Sequence, residues 1–321
     1  MSEPIFAASG LSKSFRASPG IFKKTIQVQA LENISFTLNR GETLAIVGET
    51  GSGKTTLAHV LSGLESADSG IMLLHGKTID YQKQTQHSLH QQIRLIFQNP
   101  GRTLNPRTTI AQTLLQPLQS CDKFPLHQHQ SMLIEILQKV GLRADQAQWY
   151  PHMFSVGQQQ RIAIARALIS DPEIVVADEP LSSLDVSVQA QVVNLLLDLQ
   201  KQIGVSYIFI SHNLNVVQHI SDKVLVMFGG QMVEYGPSKD VFSKPIHPYT
   251  RSLLASTPGF RNNVPISWRS NEKVYTQSHG HINGCVYAHR CKDVAEQCLN
   301  AQPLQLPIDN QLIACHKAKQ L

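Results

Sequence analysis

The sequence predicts an α/β fold built on a largely parallel sheet, and three observations carry that reading. Short, wholly apolar, β-prone runs at Leu44–Val47, Ile174–Ala177 and Tyr207–Ile210 each lead into polar residues. A glycine-rich loop joins the first of these runs to a helical stretch over Thr55–Leu64. Apolar residues spaced three and four apart recur at Met132–Val140, Gln158–Ile169 and Val188–Gln202, the pattern of helices with one buried face. Strands buried on both faces read as continuous apolar runs, and open parallel sheets bind ligands beyond their carboxyl ends, where these polar residues fall.

The bulk properties bound the rest. With 321 residues the chain exceeds one ordinary domain, so a large domain with a smaller appendage is expected. Hydrophobic residues at 42% and charged residues at 16% describe a globular chain. The formal charge of +5 comes with no long basic block, Phe22-Lys23-Lys24 being the one notable cluster, so no nucleic-acid partner is expected. The first residues lack the apolar core and small-residue cleavage site of a signal peptide, and no apolar stretch approaches the roughly 18 residues needed to span a bilayer. A cytoplasmic chain is expected, with any membrane role arising through a partner. From Pro245 onward, prolines at 248, 258, 265, 303 and 307 break the periodicity, and four of the five cysteines appear. The expected division is therefore residues 1–258, with a helical middle at about 100–170, and an appendage over 259–321.

The glycine-rich loop has a definite chemistry. Gly48-Glu49-Thr50-Gly51-Ser52-Gly53-Lys54-Thr55 runs glycine, four residues, then Gly-Lys-Thr. Glycines let the backbone curl so that successive N–H groups face phosphate oxygens, and the helix opening near Lys54 adds the positive end of its dipole. In such a loop Lys54 reaches the β- and γ-phosphates, Thr55 holds Mg²⁺ through its hydroxyl, and Thr56 caps the helix and adds a phosphate contact. Such a pattern can arise by chance; here it follows a predicted strand and opens a predicted helix, as the chemistry requires. The run ending in Asp178-Glu179 supplies the complement. Asp178 can bind the Mg²⁺ shell, and Glu179 can polarise the water that attacks the γ-phosphate.

Further along, Phe154-Ser155-Val156-Gly157-Gln158-Gln159-Gln160-Arg161 opens the helical stretch that precedes Asp178. With Gln98 in Ile96-Phe97-Gln98-Asn99-Pro100, Ser182-Ser183-Leu184-Asp185 and His212, the order of motifs resembles the ABC ATPase family over roughly residues 5 to 250. The resemblance implies a P-loop NTPase fold of the ABC type, carrying a helical signature subdomain and hydrolysing ATP with Mg²⁺. It implies Glu179, His212 and Gln98 as catalytic residues, and Thr55, Gln98 and Asp178 around Mg²⁺. Ser155, Gly157 and Gln158 would be the signature contacts to the γ-phosphate of a second subunit's ATP, and Phe15 would stack on adenine, with Phe22 close by in sequence. The working unit would be a head-to-tail pair with two ATPs between the phosphate loop of one subunit and the signature of the other. Val156 replaces the first glycine of the family's signature pair; a β-branched residue restricts the backbone there, so a working but slower site is expected.

Asn105-Pro106-Arg107, Tyr150-Pro151-His152 and His247-Pro248-Tyr249-Thr250, with the cysteine-containing tail, resemble the dipeptide and oligopeptide importer branch. Nickel and antimicrobial-peptide uptake systems are near relatives, and a non-transport ABC ATPase is a remoter alternative. The resemblance implies a sister ATPase subunit, two integral membrane permeases, indirectly a periplasmic substrate-binding protein, and a position on the cytoplasmic side of the bacterial inner membrane. Cys285, Cys291, Cys298 and Cys315 lie close enough in sequence to form one cluster. Disulfides are improbable in a reducing compartment, so the thiols suggest a metal. Similar tails in this branch bind a [4Fe–4S] cluster, which four thiolates suit; zinc suits them too, and free structural thiols are the third reading. Cys121 stands apart.

Overall fold

The computed structural model describes residues 3–17, 26–79, 89, 91–119, 121, 123–260, 265 and 283–319. Phe22, Lys23 and Lys24 lie outside these residues.

The chain opens with two long antiparallel strands, β1 (Phe6–Ala17) and β2 (Ile26–Leu38). Next, β3 (Thr43–Val47) runs into the glycine-rich loop and α1 (Lys54–Leu61). β4 (Ser69–Leu74) and β5 (Lys77–Thr78) return to the first pair and complete a four-stranded sheet ordered β2-β1-β4-β5. A helical middle follows β6 (Ile93–Ile96): α2 (Pro100–Thr103), α3 (Ile110–Gln119), α4 (Leu126–Lys139) and α5 (Val156–Leu168). Strands and helices then alternate as β7 (Ile174–Asp178), α6 (Val186–Ile203), β8 (Ser206–Ile210), α7 (Leu214–Ile220) and β9 (Lys223–Phe228). The last part holds β10 (Gln231–Pro237), α8 (Ser238–Ser243), α9 (Pro248–Ser256), α10 (Glu296–Asn300), β11 (Gln305–Ile308) and β12 (Gln311–Ala314).

The main sheet has eight strands, ordered β11-β12-β10-β9-β3-β8-β7-β6. Its centre, β9-β3-β8-β7-β6, is parallel. Every residue of β3, β7 and β8 is buried, as strands covered on both faces require. α1 and the four-stranded sheet contribute Leu57, Leu61, Leu31 and Phe36 to a core on one face, with Ile46, Val176 and Ile208 from the strands. The helical middle packs Leu114, Leu137 and Ile164 with Val175, Phe209 and Leu196 in another. The three expected strands and four expected helical stretches are present, their ends moved by a few residues.

The strands of residues 6–38 and 223–237 leave weaker traces in the sequence. Register shifts break the alternation of β1 between Ala8 and Leu11, and again around Lys13, and β10 carries one between Met232 and Glu234. Each shift resets which side chains face inward, so a period of two does not persist along the strand.

The division expected near residue 258 falls where the chain leaves α9, yet the described residues beyond it return to the main body. β12 pairs antiparallel with β10, Glu234 opposite Ile313 and Tyr235 opposite Leu312. Phe260, Cys285, Tyr287, Ala288 and Cys298 share one core with Val226, Phe228 and Tyr249. No helix among the described residues is long and apolar enough to cross a membrane.

Candidate functional site

The glycine-rich loop curls between β3 and α1 because two close approaches leave no room for side chains. A Cβ on Gly48 would stand 2.2 Å from the Met227 carbonyl oxygen, and one on Gly53, at φ 97°, 2.3 Å from that of Ala30. Gly53 is also the residue from which α1 starts. Ser52 and Lys54 are buried, whereas Thr50, Gly51 and Thr55 are exposed and Thr56 is half-buried. The Lys54 Nζ donates to the carbonyl oxygens of Gly48 at 2.9 Å and Glu49 at 2.8 Å, and lies 3.4 Å from the Ser52 Oγ. Burial pulls its ammonium below the ordinary lysine range, opposed by the carboxylates of Glu179, Asp178 and Glu49.

β7 brings its two acids to the same end of the sheet. Asp178 is buried and accepts from the Thr55 hydroxyl at 3.5 Å; burial lifts its carboxyl above the usual range, with the Thr55 bond opposing. Glu179 has a left-handed backbone at φ 44°, a conformation costing on the order of 1–2 kcal/mol for a residue with a Cβ. Its N–H donates to Ile210 O at 3.0 Å, and its carbonyl accepts from the Ser182 hydroxyl at 3.1 Å, so the neighbouring strand and the Ser182–Asp185 turn hold it there. The side chain is thereby turned toward Gln98 and His212. The Gln98 Nε2 donates to Glu179 Oε2 at 3.2 Å, and His212 Nδ1 lies 3.2 Å from the same oxygen. Three of the expected catalytic residues thus meet at one carboxylate, beside the Thr55–Asp178 pair.

The signature segment lies elsewhere. Ser155 caps α5, its Oγ accepting from the Gln158 N–H at 3.3 Å while Gln158 Oε1 accepts from the Ser155 N–H at 3.1 Å. This capping box closes the first turn of α5, Ser155 and Val156 are exposed, and none of its described hydrogen bonds reaches the phosphate loop of its own chain. A Cβ on Gly157 would meet Val188 Cγ1 of α6 at 2.7 Å, so this glycine is set by helix packing. Val156 is half exposed and is the first residue of α5, where the backbone is ordinarily helical and valine is accommodated. The expected slowing at Val156 therefore has no backbone strain behind it. Phe15 is exposed on β1, opposite Val28 on β2, with the Lys13 ammonium 5.4 Å from its ring centroid.

Glu49 has its polar groups committed. Its N–H donates to the Tyr249 hydroxyl at 2.8 Å, and its carboxylate receives the Arg290 guanidinium through both oxygens, at 2.7 and 2.8 Å. Sequence reasoning did not single out Arg290, and it saw Tyr249 only as part of the His247–Thr250 motif.

Cys285, Cys291, Cys298 and Cys315 line one small cavity, together with His247 and His316. All five cysteines are free thiols, and Cys121 is buried apart from these four. Burial pushes the Cys285 and Cys291 thiols up to about 11 and raises Cys315, and repulsion from neighbouring thiols adds to the shift in each case. Among the described residues, no group of three or more His, Cys, Asp or Glu is arranged to hold a metal ion. The four cysteines expected to cluster do share this cavity, but the expected metal site is not supported by their arrangement.

A phosphate loop between β3 and α1, two acids at the end of β7, which β8 separates from β3 in the same parallel sheet, and a helix capped by Ser155 define a P-loop ATPase of the ABC type. The match to family models agrees: residues 31–182 match the ABC transporter family, and residues 233–298 match the oligopeptide/dipeptide transporter C-terminal region. The dipeptide transport ATP-binding protein DppF of Haemophilus influenzae is 44% identical over 317 residues, covering 97% of this chain and 96% of that one. DppF of Escherichia coli is 41% identical, covering 100% and 96%. Among solved structures, cbiO1 of Clostridium perfringens, part of an ABC transporter complex, superposes with a TM-score of 0.65 at 28% identity, covering 76% of this chain and 92% of that one. The ATP-binding cassette MJ0796 shares the fold, with a TM-score of 0.62 at 23% identity. This chain belongs to the ATP-binding subunits of ABC transporters, in the branch that carries the oligopeptide/dipeptide transporter C-terminal region. It is an ATPase coupled to transport.

Proposed function

We propose that this chain energises an importer of dipeptides or oligopeptides, with Glu179 as the general base for ATP hydrolysis. The observation that carries the catalytic part is the double contact of Gln98 and His212 with one Glu179 oxygen, next to Thr55 and Asp178. Gly48 to Thr56 cradle the triphosphate, Lys54 meets the β- and γ-phosphates, and Phe15 stacks on adenine. Thr55, Asp178 and Gln98 fit a hard cation, being a hydroxyl, a carboxylate and an amide oxygen, and Mg²⁺ there would neutralise charge on the β- and γ-oxygens. Glu179 takes a proton from the attacking water as its oxygen bonds to the γ-phosphorus and the β–γ bridging bond breaks. Gln98 and His212 hold the carboxylate in line. Ser155, Gly157 and Gln158, at the N-terminal turn of α5, close on the γ-phosphate of a second ATPase subunit, so two ATPs join a head-to-tail pair.

The peptide substrate rests on the tail, on its His247–Thr250 motif, and on relatives that are dipeptide transport proteins over nearly their full length. The partners are then a sister ATPase, two membrane permeases and, indirectly, a periplasmic binding protein, with this chain peripheral to the inner membrane on its cytoplasmic side. Uptake of a labelled dipeptide by cells lacking this subunit tests it: restoration by the wild type and not by Glu179→Gln is expected, and unchanged uptake without the subunit rejects the peptide reading.

Residues 1–258 form the ATPase unit and 259–321 the appendage, held together by the four cysteines. Four thiols around one cavity suit a [4Fe–4S] cluster, with zinc as the alternative, and either would supply the cross-links that so short a segment lacks. Cys285, Cys291, Cys298 and Cys315 would then ligate it as thiolates, the metal offsetting the burial that raises the Cys285, Cys291 and Cys315 thiols.

A further inference from the structure

The phosphate loop is gripped from outside the ATPase motifs. Arg290, one residue before Cys291, forms a bidentate pair with the Glu49 carboxylate, and the two residues are 241 positions apart. Its guanidinium lies 5.4 Å from the Phe228 ring centroid and 5.8 Å from that of Tyr287. Phe228 packs on Tyr249 at 4.6 Å and on Tyr287 at 5.2 Å, so three aromatic rings fix where the fork points. Tyr249 adds a second tie by accepting the Glu49 N–H. Exposed ion pairs contribute little on average, but a planar fork stacked on aromatic faces loses little freedom when it binds a carboxylate with both arms.

Glu49 matters because of its position. It is the second residue of the loop, and its charge is felt at Lys54. A bare carboxylate there would repel a triphosphate arriving at the same backbone. The geometry points to Arg290 as a positioning residue for nucleotide binding: by neutralising and holding Glu49 it keeps the phosphate loop receptive to an anionic ligand, so the cysteine-bearing appendage contributes to ATP affinity. This rests on reading Gly48 to Thr56 as the ATP-binding loop.

The experiment measures binding of a fluorescent ATP analogue to the full chain, and KM and kcat for ATP in the assembled transporter. Arg290→Ala should raise Kd and KM about tenfold with kcat within twofold of wild type, and Arg290→Lys, which keeps the charge but not the fork, should raise them about threefold. Adding Glu49→Gln to Arg290→Ala should return both to within threefold of wild type, because the unneutralised charge is gone. The increase should also shrink at high salt, as a charge effect does. Iron, zinc and thiol content are measured on each variant. The proposal is overturned if Arg290→Ala binds within twofold of wild type, or if the increase persists undiminished in the double variant, which would mean that a loosened tail and not the Glu49 charge is at fault. Lys54→Ala is the control: retained binding in that variant would remove the ATP-loop reading itself, whatever Arg290 does.

Discussion

The five parallel strands and the C-terminal segment reach order by different means. In the former, β3, β7 and β8 are buried along their whole length and bring their polar carboxyl ends together, so strand packing and local hydrogen bonds position Lys54, Asp178 and Glu179. In the latter, α10 spans five residues and β11 and β12 four each, too little apolar surface to order independently. That segment relies on borrowed structure: pairing with β10, a core shared with Phe228 and Tyr249, and four thiols around one cavity. A site made of backbone and strand ends therefore sits beside a segment that depends on attachments, and the two should respond to mutation in different currencies.

The sharpest separation comes from Glu179→Gln. Turnover in the assembled transporter should fall by about 10²–10⁴-fold, the usual contribution of a general base, while ATP binding persists and the closed dimer accumulates. Turnover within tenfold of wild type would take Glu179 out of that role. Lys54→Ala should weaken nucleotide binding itself by about ten- to a hundredfold, as loss of a charge-assisted hydrogen bond does, read by titration with an ATP analogue.

On the other side, any one of Cys285→Ser, Cys291→Ser, Cys298→Ser or Cys315→Ser should abolish bound metal and speed proteolysis of the tail. Anaerobically purified wild type should carry about four irons per chain, as a cubane on four thiolates requires. Stoichiometric zinc without iron would replace the cluster and keep the cross-link; no metal at all would leave attachment to β10 and the shared core as the sole anchors.

A smaller effect tests the junction. Glu234 is fully buried, accepts the N–H groups of Ile246 and His247, and has its carboxyl pushed up to about 7 by burial. Its folded pKa lies above the ordinary glutamate value of 4.5, so its contribution is complete below about 4.5 and is lost as pH rises through about 7. The melting temperature of wild type relative to Glu234→Gln should therefore decline by a few degrees across that window, and a flat difference would mean that Glu234 is ionised in the folded chain. The smallest change is expected from Val156→Gly: turnover within threefold, because valine at the first position of α5 adopts an ordinary helical backbone.

How legible each region was follows from how local its determinants are. The phosphate loop and Asp178-Glu179 are specified by consecutive residues and the sequence alone locates them, whereas Ser155 is placed only by the family pattern and its role as the α5 cap emerges from the structure. Gln98 and His212 needed a family pattern, because nothing local says that both reach Glu179. Tyr249 and Arg290 escaped detection as partners of Glu49, lying 200 and 241 positions away with no periodic signal to link them. β1 and β10 were obscured by register shifts, and β12 by being only four residues long, paired with the equally short β11 and with β10 far back in the chain.

The return of the tail to the main sheet also changes what the protein presents to its neighbours. Without β11 and β12, the edge of that sheet would be β10, a seven-residue strand with unpaired backbone donors and acceptors able to recruit a strand from another chain. With them, the outermost strand is four residues long and contains Pro307, which has no N–H to offer. The C-terminal hairpin thus leaves this side of the sheet with a short, proline-containing outer strand, a poor template for adding a strand from another chain.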